Sequence, residues 1–197
     1  AFYLVIFSVT SVKAVDGHDL WLVKGSGNDV NVVYKTSNSQ TLKIAVQELQ
    51  DGWKGKNGAS VSLEIKKDKQ IKNDGFRIDA KGIRANTEAG ILYGVYEMLR
   101  RQQTGQQCEY LLSNPSYKYR VLNHWDNLDR TVERGYAGFS LWEWHKLPDY
   151  CSPIYQDYAR ANASIGINGT VLNNVNANAL ILTDQYLDKV AALANIF

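Results

Sequence analysis

Two short apolar runs, Tyr119 to Leu122 and Gly169 to Asn173, are separated by a long loop and one helical pattern. Two parallel strands need a crossover of a dozen or more residues between them, usually a helix. From Tyr119 onward the chain reads as strand, long loop, helix, buried strand, loop, helix. The first helix falls in Pro153 to Ala163, with Tyr155, Tyr158 and Ala159 on one face. The second runs from Asp184 to Asn195, capped by Thr183, with Leu187, Val190, Ala191 and Ala194 turned inward. This repeat predicts the first βα units of a (β/α)8 TIM barrel, or else an open doubly wound sheet. No glycine-rich phosphate loop follows either strand, which weighs against dinucleotide binding.

The preceding residues alternate strands and helices in a different way. Asp19 to Val23 and Val30 to Tyr34 read as short strands flanking the turn-forming Gly25-Ser-Gly-Asn28. Leu42, Ala45, Val46, Leu49 and Trp53 recur at helical spacing, with Ser39 as N-cap and Gly52 and Gly55 at the stop. Val61, Leu63 and Ile65 alternate with polar residues, as do Phe76, Ile78 and Ala80. Gly82 to Asn86 is a loop or a further short strand. A second helix, capped by Asn86 or Thr87, carries Ala89, Leu92, Tyr93, Tyr96 and Leu99 as its apolar stripe. Gly90 and Gly94 share a face of it. Glycine costs about 1 kcal/mol in a helix interior, so close packing on a sheet is expected there. The predicted organisation is an N-terminal mixed-sheet α/β domain over 15–115, ending at Asn114-Pro115, and the start of a barrel over 116–197.

Barrel enzymes gather functional residues at the C-terminal ends of strands. Polar clusters stand there after both runs, Asn123-His-Trp-Asp126 and Asn173-Asn-Val-Asn176. An amide, an imidazole, an indole and a carboxylate side by side suit a sugar, whose hydroxyls need donors and acceptors and whose C–H face fits an aromatic ring. Trp125 is the candidate flat wall, and Asn123 and Asn173 are candidate hydroxyl ligands. His124 reads as a structural, hydrogen-bonded histidine. Asp126 and Asp129 are close neighbours on a turning loop, whereas a glycosidase takes its acid and base from separate positions across the substrate. Both therefore read as structural rather than catalytic, with Asp126 also kept as a sugar-binding candidate. Glu133 and Arg134 read as a local pair, and Glu143 as a loop carboxylate. Trp125, Trp142 and Trp144 crowd one segment more than core packing demands.

The net charge of +2 with scattered Lys and Arg argues against nucleic acid as a partner. Three histidines and two cysteines lack metal-ligand spacing, so neither metal nor cofactor is expected. Residues 1–14 form an apolar run too short to span a bilayer and read as the remnant of a secretory signal peptide. The expected location is periplasmic or secreted, without a membrane partner in the mature form. No pairing of Cys108 with Cys151 is predicted. Asn162-Ala-Ser164 and Asn168-Gly-Thr170 match the N-glycosylation pattern, with Asn168 expected in a tight turn. Without an initial Met, and with Phe197 inside a helical pattern, both ends read as cut.

Three stretches carry a resemblance. Asn123-His-Trp-Asp-Asn-Leu-Asp129, Glu133-Arg-Gly-Tyr-Ala-Gly138 and Tyr158-Ala-Arg-Ala-Asn-Ala-Ser-Ile-Gly-Ile-Asn-Gly-Thr-Val-Leu-Asn-Asn-Val-Asn-Ala177 resemble glycoside hydrolase family 67, the α-glucuronidases. Gly82-Ile-Arg-Ala-Asn-Thr-Glu-Ala-Gly-Ile-Leu-Tyr-Gly94 resembles the end of that family's N-terminal domain. The resemblance implies an inverting hydrolase that removes (4-O-methyl-)glucuronic acid from xylo-oligosaccharides, with a glucuronoxylan-derived oligosaccharide as partner and a homodimer as a full-length assembly. It implies that Trp125 lines the uronic acid pocket and that Val175 lies beside the 4-O-methyl group. It puts the catalytic carboxylates and the basic uronate ligands on later strands, beyond Phe197. Arg130 stands where the family has a small residue such as glycine. The competing expectations are a non-catalytic carbohydrate-binding protein and a hexosaminidase-like enzyme with an Asp-Glu pair downstream.

Overall fold

The computed structural model describes residues 17–23, 25, 27–106 and 109–197. The signal-like segment and Cys108 lie outside them. Cys151 is a half-buried free thiol.

The first unit is a five-stranded mixed sheet with two helices against it. Strands β1 (Val30–Tyr34), β2 (Ala59–Ile65), β3 (Phe76–Asp79), β4 (Gly82–Ala85) and β5 (Leu111–Ser113) stand in the order β1-β2-β4-β3-β5. β1, β2 and β4 are parallel, while β3 runs antiparallel to β4 and β5. Helix α1 (Gln40–Gly52) crosses from β1 to β2. It starts because the Ser39 hydroxyl accepts a hydrogen bond from Leu42 N, as expected of an N-cap. It buries Leu42, Ala45, Val46 and Leu49, the spacing read from the sequence. Helix α2 (Glu88–Gln103) starts at Thr87, which accepts from Gly90 N.

The buried surface of α2 is wider than its predicted stripe and includes Ile91, Val95 and Met98. Helix α1, the sheet and a later helix all pack on it, so a single stripe could not serve them. One face of the sheet holds the core residues Val61, Leu63, Ile78, Ile83 and Ala85. Polar pairs mark the opposite side of the pleat, among them Asn31 with Ser60, Arg84 with Glu64 and Arg77 with Asp68.

Gly90 and Gly94 lie where α2 approaches the sheet. A Cβ on Gly90 would sit 2.6 Å from the Gly75 carbonyl oxygen and 2.8 Å from Ala85 Cβ; one on Gly94 would sit 2.5 Å from Ile83 Cγ2. The Gly75 carbonyl is backbone and cannot rotate aside. Gly90→Ala is therefore expected to lower stability by about 2 kcal/mol through overpacking, despite alanine's better helix propensity. Chemical denaturation measures this, and a gain in stability would refute the packing account.

The second unit contains β6 (Val121–Asn123), α3 (Ile154–Ser164), β7 (Gly169–Val171), a 3-10 turn (Ala179–Leu182) and α4 (Asp184–Ala194). β6 and β7 are parallel and α3 lies in the crossover between them. A separate core gathers around Trp142, Trp144, Leu147, Tyr155 and Leu193.

Several expectations need correction. Asp19 to Val23 is not a strand. Gly17 to Trp21 forms turns closed by Leu20 N to Gly17 O and Leu22 N to Asp19 O, and Leu22 enters the first core. β6 starts two residues later than predicted, with Tyr119 exposed. β7 is not buried: Val171 is exposed, because among the described residues β7 pairs with β6 alone. In α4 the buried residues are Lys189 and Leu193, while Leu187, Ala191 and Ala194 are exposed. The helix carries two apolar stripes, and the one bearing Tyr186, Val190 and Leu193 meets the tryptophan core. Thr183 is the N-cap by backbone, but its hydroxyl donates to the Leu180 carbonyl instead of capping.

A polar seam joins the two units. Arg160 of α3 makes a two-point contact with Glu48 of α1 at 2.6 and 2.9 Å. The Tyr96 hydroxyl lies near the same pair, and burial pushes it above its ordinary range. The indole of Trp21 donates to Ser164, and Arg120 pairs with Asp74 at 2.7 Å. Asn168 uses its whole amide here. Its oxygen accepts from Arg120 N, and its nitrogen donates to the Lys118 carbonyl and to Asp74. Asn162, the other match to the glycosylation pattern, is buried.

Candidate functional site

The C-terminal ends of β6 and β7 lie side by side, with Asn123 in register with Val171 and His124 N donating to the Val171 carbonyl. The two polar clusters therefore meet, stitched by backbone and amide contacts. Asn174 N donates to the Asp126 carbonyl, and Glu133 N to the Trp125 carbonyl. The Glu133 carbonyl accepts from the side chains of both Asn127 and Asn174. Asp126 and Val132 form an antiparallel bridge that closes the loop on itself.

Side chains alternate across this strand end, as an extended backbone requires. Asn123 and Trp125 face outward, with Trp125 40% exposed, whereas His124 is half-buried and Asp126 is 3% exposed. The Asn123 amide makes no hydrogen bond to the described residues, so its donor and acceptor remain open. Asp126 instead accepts from the Ser140 hydroxyl at 2.5 Å, and its near oxygen lies 3.7 Å from His124 Nδ1. Beyond β7, Asn173 is half-buried and donates to the Asn174 carbonyl, and Val175 stands 77% exposed. The exposed side chains at the two strand ends thus include an indole, an amide and a small apolar group, which can meet the faces and hydroxyls of a sugar.

The other candidates support the loop. Asp129 accepts from the Thr131 hydroxyl and backbone N–H, and these bonds hold its carboxyl below its usual range. Glu143 bonds Lys146 at 3.0 Å and Arg130 at 3.3 Å; the hydrogen bond from Lys146, reinforced by both positive charges, lowers its pKa. Arg130 adopts φ +72°, the left-handed region that favours glycine. The predicted Glu133–Arg134 pair is absent among the described residues; desolvation and the nearby Glu133 carboxylate instead push the Tyr136 hydroxyl above its ordinary range. Trp142 and Trp144 are 0% and 1% exposed, so two of the three crowded tryptophans are core.

Sequence reasoning missed Ser140 and Tyr158, and gave Asn174 only as a member of the second polar cluster. The helical pattern places Tyr158 on an apolar face, yet its hydroxyl lies 2.6 Å from His124 Nε2. A period-2 phase through 123–126 was the one available signal for which side chains turn inward. Two cavities of about 680 and 640 Å³ lie at the seam around Asp74, Tyr93 and Tyr96, away from the strand ends. The strand ends carry more weight as a site, because they gather exposed aromatic and amide side chains, whereas Arg120, Arg160 and Glu48 in the seam are already held in ion pairs. Among the described residues no group of three or more His, Cys, Asp or Glu could hold a metal.

Residues 98–197 match the profile of the glycosyl hydrolase family 67 middle domain. "Probable alpha-glucuronidase A" of Neosartorya fischeri is 34% identical over 99% of this chain and 28% of its own length. That of Aspergillus terreus is 33% identical over 84% and 23%, and "Alpha-glucuronidase A" of Emericella nidulans 39% identical over 65% and 16%. The chain spans about a quarter of the length of the first two relatives.

Proposed function

Since this chain belongs to glycosyl hydrolase family 67, we propose that it is the N-terminal part of an α-glucuronidase acting on glucuronoxylan-derived oligosaccharides. In this reading the whole enzyme removes glucuronic acid or its 4-O-methyl ether with inversion, as part of xylan degradation. The units β6-α3 and β7-α4 are the first two of a (β/α)8 barrel that follows an N-terminal domain over 15–115. Trp125 lines the sugar pocket, Asn123 and Asn173 bind hydroxyls, Val175 borders the 4-O-methyl group, and Asp126 holds the loop. The general acid and base come from later strands. An inverting pair is set about 6.5–9.5 Å apart to admit a water, which the adjacent Asp126 and Asp129, each tied into the loop, do not offer. The enzyme acts outside the cytoplasm, after export; no helix among the described residues is long and apolar enough to cross a membrane.

The observation that carries this reading is the placement of Asn123 and Trp125 on one open face at the end of β6, beside the end of β7. A non-catalytic carbohydrate-binding role is not favoured, because the relatives are named as α-glucuronidases. The test is to incubate the full-length gene product with aldouronic acids and follow the products by NMR. Release of 4-O-methylglucuronic acid, first as the β-anomer, is expected. A folded product that releases none would sink the proposal, and initial release of the α-anomer would remove inversion.

A further inference from the structure

We propose that Tyr158 and His124 are positioning residues for Trp125, fixing the indole that forms the wall of the sugar pocket. This rests on the reading of Trp125 as a pocket residue and adds how that residue is held. Trp125 has open solvent on its outward side and is anchored locally by its carbonyl, which accepts from Glu133 N. Its two neighbours in sequence are fixed far more firmly.

His124 Nε2 lies 2.6 Å from the Tyr158 hydroxyl on α3, and Nδ1 faces Asp126 at 3.7 Å. Nε2 is thus engaged by Tyr158, and Nδ1 is turned towards Asp126. The ring also packs against Trp142 at 5.2 Å and edge-on to Tyr158 at 5.4 Å. Asp126 is buried and accepts from Ser140 Oγ, which in turn accepts from Trp142 N. The residues on either side of Trp125 are therefore clamped, one to a helix and one to the loop core. With alternating side chains, fixing positions 124 and 126 fixes the outward direction of 125. Support of this kind keeps a binding side chain within the narrow range that recognition needs.

The test uses the full-length enzyme and Tyr158→Phe, which removes the hydroxyl alone. Loss of one hydrogen bond is expected to raise KM about five-fold, with kcat changed by less than about two-fold. In a Trp125→Ala background the same substitution should leave KM within about 1.5-fold, because residues acting through one group are not additive. An unchanged KM for Tyr158→Phe, or fold-changes that multiply in the double variant, would overturn the inference. A second readout does not depend on activity. In protein labelled with 5-fluorotryptophan, the Trp125 resonance, assigned by its loss in Trp125→Phe, should shift or broaden on Tyr158→Phe. A Trp125 resonance that does not move also refutes positioning. An inactive wild-type enzyme would count against the α-glucuronidase reading alone and leave this spectroscopic test in force.

Discussion

Replacing Trp125 by alanine in the full-length enzyme is expected to lower kcat/KM on aldouronic acids about 30-fold with little change in stability. The two halves of this expectation come from the same observation. An indole that is 40% exposed at a strand end contributes little to the core. It offers a broad apolar face that a sugar ring can cover. Covering a large aromatic side chain is worth about 2 kcal/mol, and each 1.4 kcal/mol is a factor of ten in rate or affinity. Trp125→Phe should recover part of the loss, since it keeps a smaller flat face. Steady-state kinetics with a parallel thermal melt decides the matter. Unchanged kcat/KM would remove Trp125 from the pocket, and a large drop in melting temperature would move it into the core.

Trp142→Ala should show the reverse pattern, a loss of about 3–5 kcal/mol in stability. Trp142 is fully buried and packs against His124, Tyr155, Tyr158 and Phe197, with ring centroids 5.2 to 6.1 Å away. Few side chains in the second core touch so many aromatic neighbours. Against the usual 5–15 kcal/mol of a folded domain, such a loss leaves the loop after β6 poorly held. Trp142→Phe should cost much less. The Trp142 indole N–H is buried without a hydrogen-bond partner, and removing an unsatisfied donor offsets part of the lost volume. Urea unfolding measures both variants. If alanine costs under about 1 kcal/mol, Trp142 does not organise this core.

The pair of tryptophans also shows where sequence reading reaches its limit. Composition flagged both as part of one crowded aromatic segment, and nothing local separated them. What separates them is tertiary: α3 and α4 close over Trp142 and Trp144, while nothing among the described residues closes over Trp125. In the first unit the pattern was more legible. Leu42, Ala45, Val46 and Leu49 form one stripe behind one cap, and α1 has a single face to bury. Gly90 and Gly94 announced a close approach because glycine has an evident cost in a helix. Helix α4 offers two apolar stripes, and sequence alone does not rank them. Trp21 and Leu22 give a strand-like pattern, but among the described residues no strand pairs with them. At the site, the chemistry of the cluster was visible, and the direction of each side chain was not. Asp126 is a sugar-facing candidate by sequence, but it is buried against Ser140 and turned inward.

The seam bears on how this protein is best produced. The nitrogen of Asn168 that an N-linked glycan would occupy is the one that donates to Lys118 and Asp74. A sugar attached there displaces at least one of these bonds and sets a bulky polar group against the joint between the units. A bacterial host leaves the amide free to close the seam, whereas a secretory host that attaches glycans during translocation competes with folding for the same atom. The choice of expression system thus becomes a structural variable for this chain.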